Sequence, residues 1–133
     1  MQNLIYALIQ VVHNFGAAAI VGMGAYETWL VPGRPERRLA LVLVLVWALQ
    51  ASSGAFFGIV TYYYDGQLPD IHGVAVDALL LKIICAAAGF VLAVSYAKWG
   101  SGWSDQRCRF IWGASFALGA VALGSAAFLR WFS

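Results

Sequence analysis

The sequence predicts an all-α membrane protein, four antiparallel transmembrane helices in one bundle. Three observations carry that prediction. Hydrophobic residues make up 62% of the 133-residue chain and charged residues only 11%, whereas soluble domains carry about 25% charged residues. Four apolar runs each exceed the roughly 20 residues needed to cross a bilayer core. The three connections are short, so successive helices are antiparallel neighbours. The whole chain, residues 1–133, reads as a single integral membrane domain.

The first run covers about Leu4 to Leu30. Tyr6, Gln10, His13, Ala17, Gly24 and Glu27 fall on one broad face at helical spacing. In lipid such a polar stripe must face protein or water. The second run, about Leu39 to Tyr63, offers Gln50, Ser53, Gly54 and Thr61 in the same way. The third, Val74 to Ala97, has a face of small residues: Ala75, Ala78, Cys85, Ala86, Gly89 and Ala93, with Lys82 among them. Its opposite face holds Leu80, Leu81, Ile84, Ala88, Val91 and Leu92. The small face is where another helix can approach closely. The fourth run, about Phe110 to Trp131, carries Gly113, Ala117, Ala120 and Gly124, a face suited to close packing.

Sidedness follows from the basic residues. Arg34, Arg37 and Arg38 lie in the first connection, and Lys98, Arg107 and Arg109 in the third. The second has none, but has Asp65 and Asp70. The positive-inside rule puts the first and third connections in the cytoplasm, and therefore both termini outside. Arg130 is the basic residue on the other side. Trp29, Trp99, Trp103, Trp131 and Tyr62 to Tyr64 sit at span ends, as an interfacial aromatic belt does. Met1 leads into an apolar helix without a basic n-region, so no cleavable signal peptide is expected. A net charge of +2 gives no reason to expect nucleic acid. The expected surroundings are the bilayer and other membrane subunits or a second copy. Cys85 and Cys108 show no zinc-type spacing and are not expected to form a disulfide.

Lys82 is the residue to explain. A lysine at the centre of a membrane helix costs about 2.5–3.5 kcal/mol on insertion scales and marks function by default. The alternatives are a structural pair with Asp77 and a side chain that snorkels to the surface. His13 lies nine residues into the first run and Lys82 eight into the third, each about 12–14 Å below the outer edge. Gln50, eleven residues in from the other side, reaches a similar level in a core about 30 Å thick. His13, Gln50 and Lys82 are therefore expected to converge near mid-membrane. His13 can serve there as a hydrogen-bonding residue, a metal or haem ligand, or a proton-transfer group. His72 lies in the second connection, about 15 Å above Lys82, too far to share an iron with His13. With Asp70, Asp65 or the Met1 thioether it could hold a surface metal, copper being suited to imidazole with thioether. Otherwise it is an ordinary residue at a helix start. Phosphate-binding loops, nucleophile elbows, HExxH and paired carboxylates on one helix are absent from the sequence.

His13 followed by small residues and Gly22, the arginine-rich connection, Ser53-Gly54, and Gly73 with Leu79-Leu-Leu-Lys82 form a pattern. The pattern resembles the four-helix core of CopD-like copper-resistance membrane domains and HemJ-type protoporphyrinogen oxidases. The resemblance covers roughly residues 8 to 98. It implies a functional histidine and lysine, mapping onto His13 and Lys82, and a haem b or copper cofactor. The implied location is the bacterial inner membrane. The chain departs from the HemJ-type pattern after the first helix, where Ala25-Tyr-Glu-Thr-Trp29 replaces a tyrosine-histidine pair, and CopD-like proteins carry additional helices. A non-catalytic accessory subunit of a larger respiratory or metalloenzyme complex is the alternative, and the sequence leaves open whether the chain is an enzyme.

Overall fold

The computed structural model describes residues 2–31, 35–67 and 69–132. Among these residues the chain is helical throughout its long elements and contains no strand. Helix α1 spans Gln2–Ala25 and runs into a π-helical turn, Tyr26–Leu30. Helix α2 spans Arg37–Asp65, α3 spans Val74–Trp99 with a 3-10 turn over Gly100–Gly102, and α4 spans Asp105–Phe132. All four are long and apolar enough to cross a membrane. The helices extend past the apolar runs at Arg37 and Asp105, because propagation costs little once an apolar stretch has formed a helix.

The ends have local causes. Gly66 adopts a left-handed φ of 70°, and its N–H bonds Tyr62 O at 3.0 Å, which closes α2. Gly73, at φ 53°, turns the chain into α3, and Asp77 in the first turn suits the positive end of the helix dipole.

The helices form a ring. α1 packs on α2, α2 on α3, α3 on α4, and α4 back on α1. This leaves α1 and α3 diagonal and running in the same direction. Within the 18-residue apolar windows, only 22–33% of each span is buried inside the protein. The remaining surface is apolar, with Leu8, Phe15, Leu45, Ile59, Ile84 and Phe110 more than half exposed, the surface a bilayer covers.

The two ends of the bundle are packed differently. Toward the end that carries the first and third connections, the core is large: Ile20, Leu43, Trp47, Tyr96, Ile111 and Trp112 pack together. Trp47 is fully buried, and a Cβ on Gly89 would collide with its indole, so only glycine admits the ring there. Trp47 Nε1 donates to Ser115 Oγ at 3.1 Å. A Cβ on Gly119 would stand 2.7 Å from Ile20, and one on Gly24 2.8 Å from Phe116, so α4 and α1 approach closely at both glycines. Tyr96 Oη donates to Pro35 O at 3.0 Å, and Arg37 Nε to Ala97 O at 3.3 Å, tying the first connection to α3. Lys98 and Arg107 lie over the rings of Trp99 and Trp103. Toward the termini, Ala75, Ala78, Ala122 and Ser125 supply the buried residues instead. A groove of about 370 Å³ between α3 and α4 runs past Val74, Asp77, Gly124 and Phe128.

The predicted inward face of α3 holds: Ala75, Ala78, Cys85, Gly89 and Ala93 are buried, and Lys82 is half-buried. Two other faces differ from expectation. On α4 the small residues Ala117, Ala120 and Gly124 point outward, and the packed side is Cys108, Trp112, Ser115, Gly119 and Ala122. The bulk of Trp112 and Ile111 fixes the rotation of α4, because burying them outweighs the close approach that the small stripe would allow. On α1, Gln10 is exposed and donates to Asn14 Oδ1 on its own helix at 2.8 Å. A local partner one turn away satisfies it without the bundle.

Candidate functional site

His13 is buried at 8% exposure on the side of α1 that meets α2. Its ring packs against Gly54, where a Cβ would lie in ordinary contact, 3.6 Å from His13 Cε1. Both ring nitrogens are engaged. Nδ1 is 2.8 Å from Ser53 Oγ, and Nε2 is 2.9 Å from Gln50 Nε2. Ser53 and Gln50 are three residues apart and so share one face of α2. Ser53 Oγ also donates to Gln50 O at 3.2 Å. Its single proton is thereby spent, so it accepts from His13 Nδ1–H. Nε2 is then the lone-pair nitrogen and accepts from the Gln50 amide. Gln50 Oε1 is left buried without a partner, aimed at Gly16, where a Cβ would lie 2.8 Å from it.

Lys82 approaches from the diagonal helix. It is half-buried and makes no hydrogen bond or ion pair among the described residues, and its ammonium is within electrostatic reach of the His13 ring. The structure thus places His13, Gln50 and Ser53 in direct contact, with Lys82 as the neighbouring charge. Asp77 is not the counter-ion of Lys82. It is exposed and lines the α3–α4 groove. Five residues apart on a helix is about 140° of rotation, which turns the two side chains to different faces.

His72 stands elsewhere. Its Nδ1 is 3.2 Å from Asp70 Oδ1, and both side chains are over three-quarters exposed. Asp65 is also exposed. Met1, the thioether considered with them, lies outside the described residues. Among the described residues no three His, Cys, Asp or Glu side chains gather in a metal-holding group.

The fit to the implied cofactors follows from these donors. A chelated ion asks for several ligands, and around His13 the neighbours are a hydroxyl, an amide and an ammonium, none a strong copper donor. A porphyrin iron can take a single axial imidazole. His13 suits that bond: Ser53 accepts from Nδ1–H, as outer groups do behind metal-bound histidines, and the lone pair of Nε2 is covered only by the Gln50 amide.

Three participants were not singled out for roles in the sequence. Ser53 was visible as a polar residue but not as the acceptor behind His13, although its place one turn from Gln50 was the available signal. Ser115 gave no signal, because a serine in an apolar helix bonds anything nearby. The buried, unpartnered Nε1 of Trp112 could not be anticipated either. No protein-family model, curated protein or solved structure matches the chain.

Proposed function

We propose that this small multi-pass membrane protein handles haem, which His13 Nε2 would hold, with Gln50 beside it and Lys82 as the buried partner charge. The observation that carries the reading is the pair of contacts on His13. Ser53 holds the proton on Nδ1 and Gln50 covers the lone pair on Nε2. Swinging the Gln50 side chain aside uncovers Nε2 and also releases the stranded Oε1. Lys82, a cation without a partner among the described residues, is matched to an anionic group on the ligand. Bound haem would supply one-electron chemistry. The protein's part is to set the imidazole tautomer, exclude water and hold a positive charge nearby. The reading agrees with the CopD-like and HemJ-type resemblance and with a bacterial inner membrane location, the basic connections facing the cytoplasm.

The test is an absorption spectrum of the purified protein after expression with haem supplied. A Soret band in the wild type, lost in His13→Ala and retained in His72→Ala, is the expected result. Copper retained by His13→Ala and lost by His72→Ala moves the site to the surface histidine and defeats the haem reading. An accessory role is the second reading. It is favoured by the outward small-residue face of α4, where nothing lies within 4 Å of a Cβ on Gly124. Equal spectra in both variants, with co-purifying membrane subunits, support it.

A further inference from the structure

A second polar site stands at the end of the bundle that carries the basic connections. Among the described residues Glu27 is the only buried acid, at 6% exposure, and its carboxyl has neither hydrogen bond nor ion pair. Trp112 is 1% exposed, and its Nε1–H is buried without an acceptor. The two belong to one crossing. A Cβ on Gly113 would lie 3.7 Å from Thr28, so the residues before these, Trp112 and Glu27, are within about 3 Å of one level along the antiparallel helices. A buried donor left unsatisfied is rare, and here it stands at the level of a buried acid on the packed neighbouring element.

The backbone at Glu27 is unusual too. It lies in the π-helical turn closed by Val31 N–H on Tyr26 O at 3.1 Å, and such turns concentrate at functional sites. An ionised carboxylate there would be buried without a counter-charge among the described residues and would oppose the negative end of the helix dipole. Among the described residues the charged groups facing this end from the neighbouring helices are Glu36 before α2, Arg37 and Arg38 on α2, Lys98 on α3, and Arg107 and Arg109 on α4. All are exposed, and none pairs with Glu27. The remaining titratable neighbours are Tyr26, which is exposed, Tyr96, whose hydroxyl bonds Pro35 O, and Asp105 and Cys108 at the start of α4, none of them bonded to Glu27. A metal cation is a poor guest: one carboxylate is too few ligands, and an indole N–H can only donate. A water molecule and a proton fit both halves. The water oxygen accepts from Trp112 Nε1–H, and the proton neutralises Glu27.

We propose that Glu27 and Trp112 form a proton-binding site at the basic end of the bundle, at which water held by Trp112 passes a proton to and from the Glu27 carboxyl. One O–H bond of the hydrated proton breaks and one forms on the carboxylate, so charge and atoms balance. Glu27 is fourteen residues from His13, about 21 Å along α1. The site is therefore separate from the His13 cluster, and it does not rest on the haem reading.

Infrared spectroscopy of the full-length protein in liposomes at neutral pH tests the assignment. The expected wild-type spectrum contains a carboxylic-acid C=O band that shifts on transfer to D2O. Glu27→Gln should lose it, and Trp112→Phe should move it by removing the donor behind the bound water. The other acids among the described residues, Glu36, Asp65, Asp70, Asp77 and Asp105, are exposed and contribute carboxylate bands instead. No carboxylic band in the wild type, or a band that survives in Glu27→Gln, overturns the proposal. Where Trp112→Phe fails to fold, the wild-type band decides the water contact alone. Rapid D2O exchange upholds it, and a band that never exchanges in the folded protein overturns it.

Discussion

Ser53 Oγ lies 2.8 Å from His13 Nδ1, and this contact fixes which imidazole nitrogen carries the proton. The serine proton goes to Gln50 O, so its oxygen can only accept. Ser53→Ala therefore strands a buried N–H. Hydrogen bonds of this kind inside membrane proteins contribute about 0.6 kcal/mol on average and about 1.7 at most. A double-mutant cycle of Ser53→Ala with His13→Ala, read by thermal unfolding in detergent, should give a coupling within that range. Additive single variants would mean the contact does not form.

The glycines of the bundle predict opposite outcomes. Gly89 faces the Trp47 indole with no room for a methyl group, whereas nothing lies within 4 Å of a Cβ on Gly22. Gly89→Ala should destabilise by about 1–3 kcal/mol, the usual cost of overpacking. Gly22→Ala should be neutral or stabilising, since alanine is the better helix former by about 1 kcal/mol. Unfolding midpoints of the two variants measured side by side check the difference. Equal loss in both would refute the Trp47 packing.

Much of the fold was legible in the sequence, and the reason is physical. Apolar runs longer than 20 residues leave few alternatives in lipid, and small residues around Lys82 marked the inward face of α3. The rotation of α4 was not legible. Gly113, Ala117, Ala120 and Gly124 made a tidier stripe than the mixed side that packs, and only the size of Trp112 and its fit against Tyr96 and Ile20 decides between them. The candidate site was legible in part. Depth counting brought His13 and Gln50 to one level, and they are in contact. It could not supply the angle around the helix, which removed Asp77 from Lys82.

That separation makes Lys82 and Asp77 independent in stability. Lys82→Met removes a costly intramembrane charge, so the variant should unfold at the same or a higher temperature than the wild type. Adding Asp77→Asn should change stability only by its own amount, because sites without a shared contact add to within about 0.3–0.5 kcal/mol. If Lys82→Met is destabilised and Asp77→Asn restores it, the two form an ion pair and the role given to Lys82 as a free charge falls.

Sidedness rests on where the cations are. Of the eight Lys and Arg residues, six lie in or beside the first and third connections, and Arg130 is the one near the termini. The two native cysteines are buried, so both can remain while single cysteines are introduced as reporters. A cysteine at His72, whose side chain is 78% exposed, should react with an impermeant thiol reagent added to intact cells. One at Arg38, exposed at the other end, should react only after the membrane is opened. The opposite pattern would place the basic connections outside, against the positive-inside bias. It would also turn the Glu27 and Trp112 site toward the external face, so that its proton would come from the medium and not from the cell.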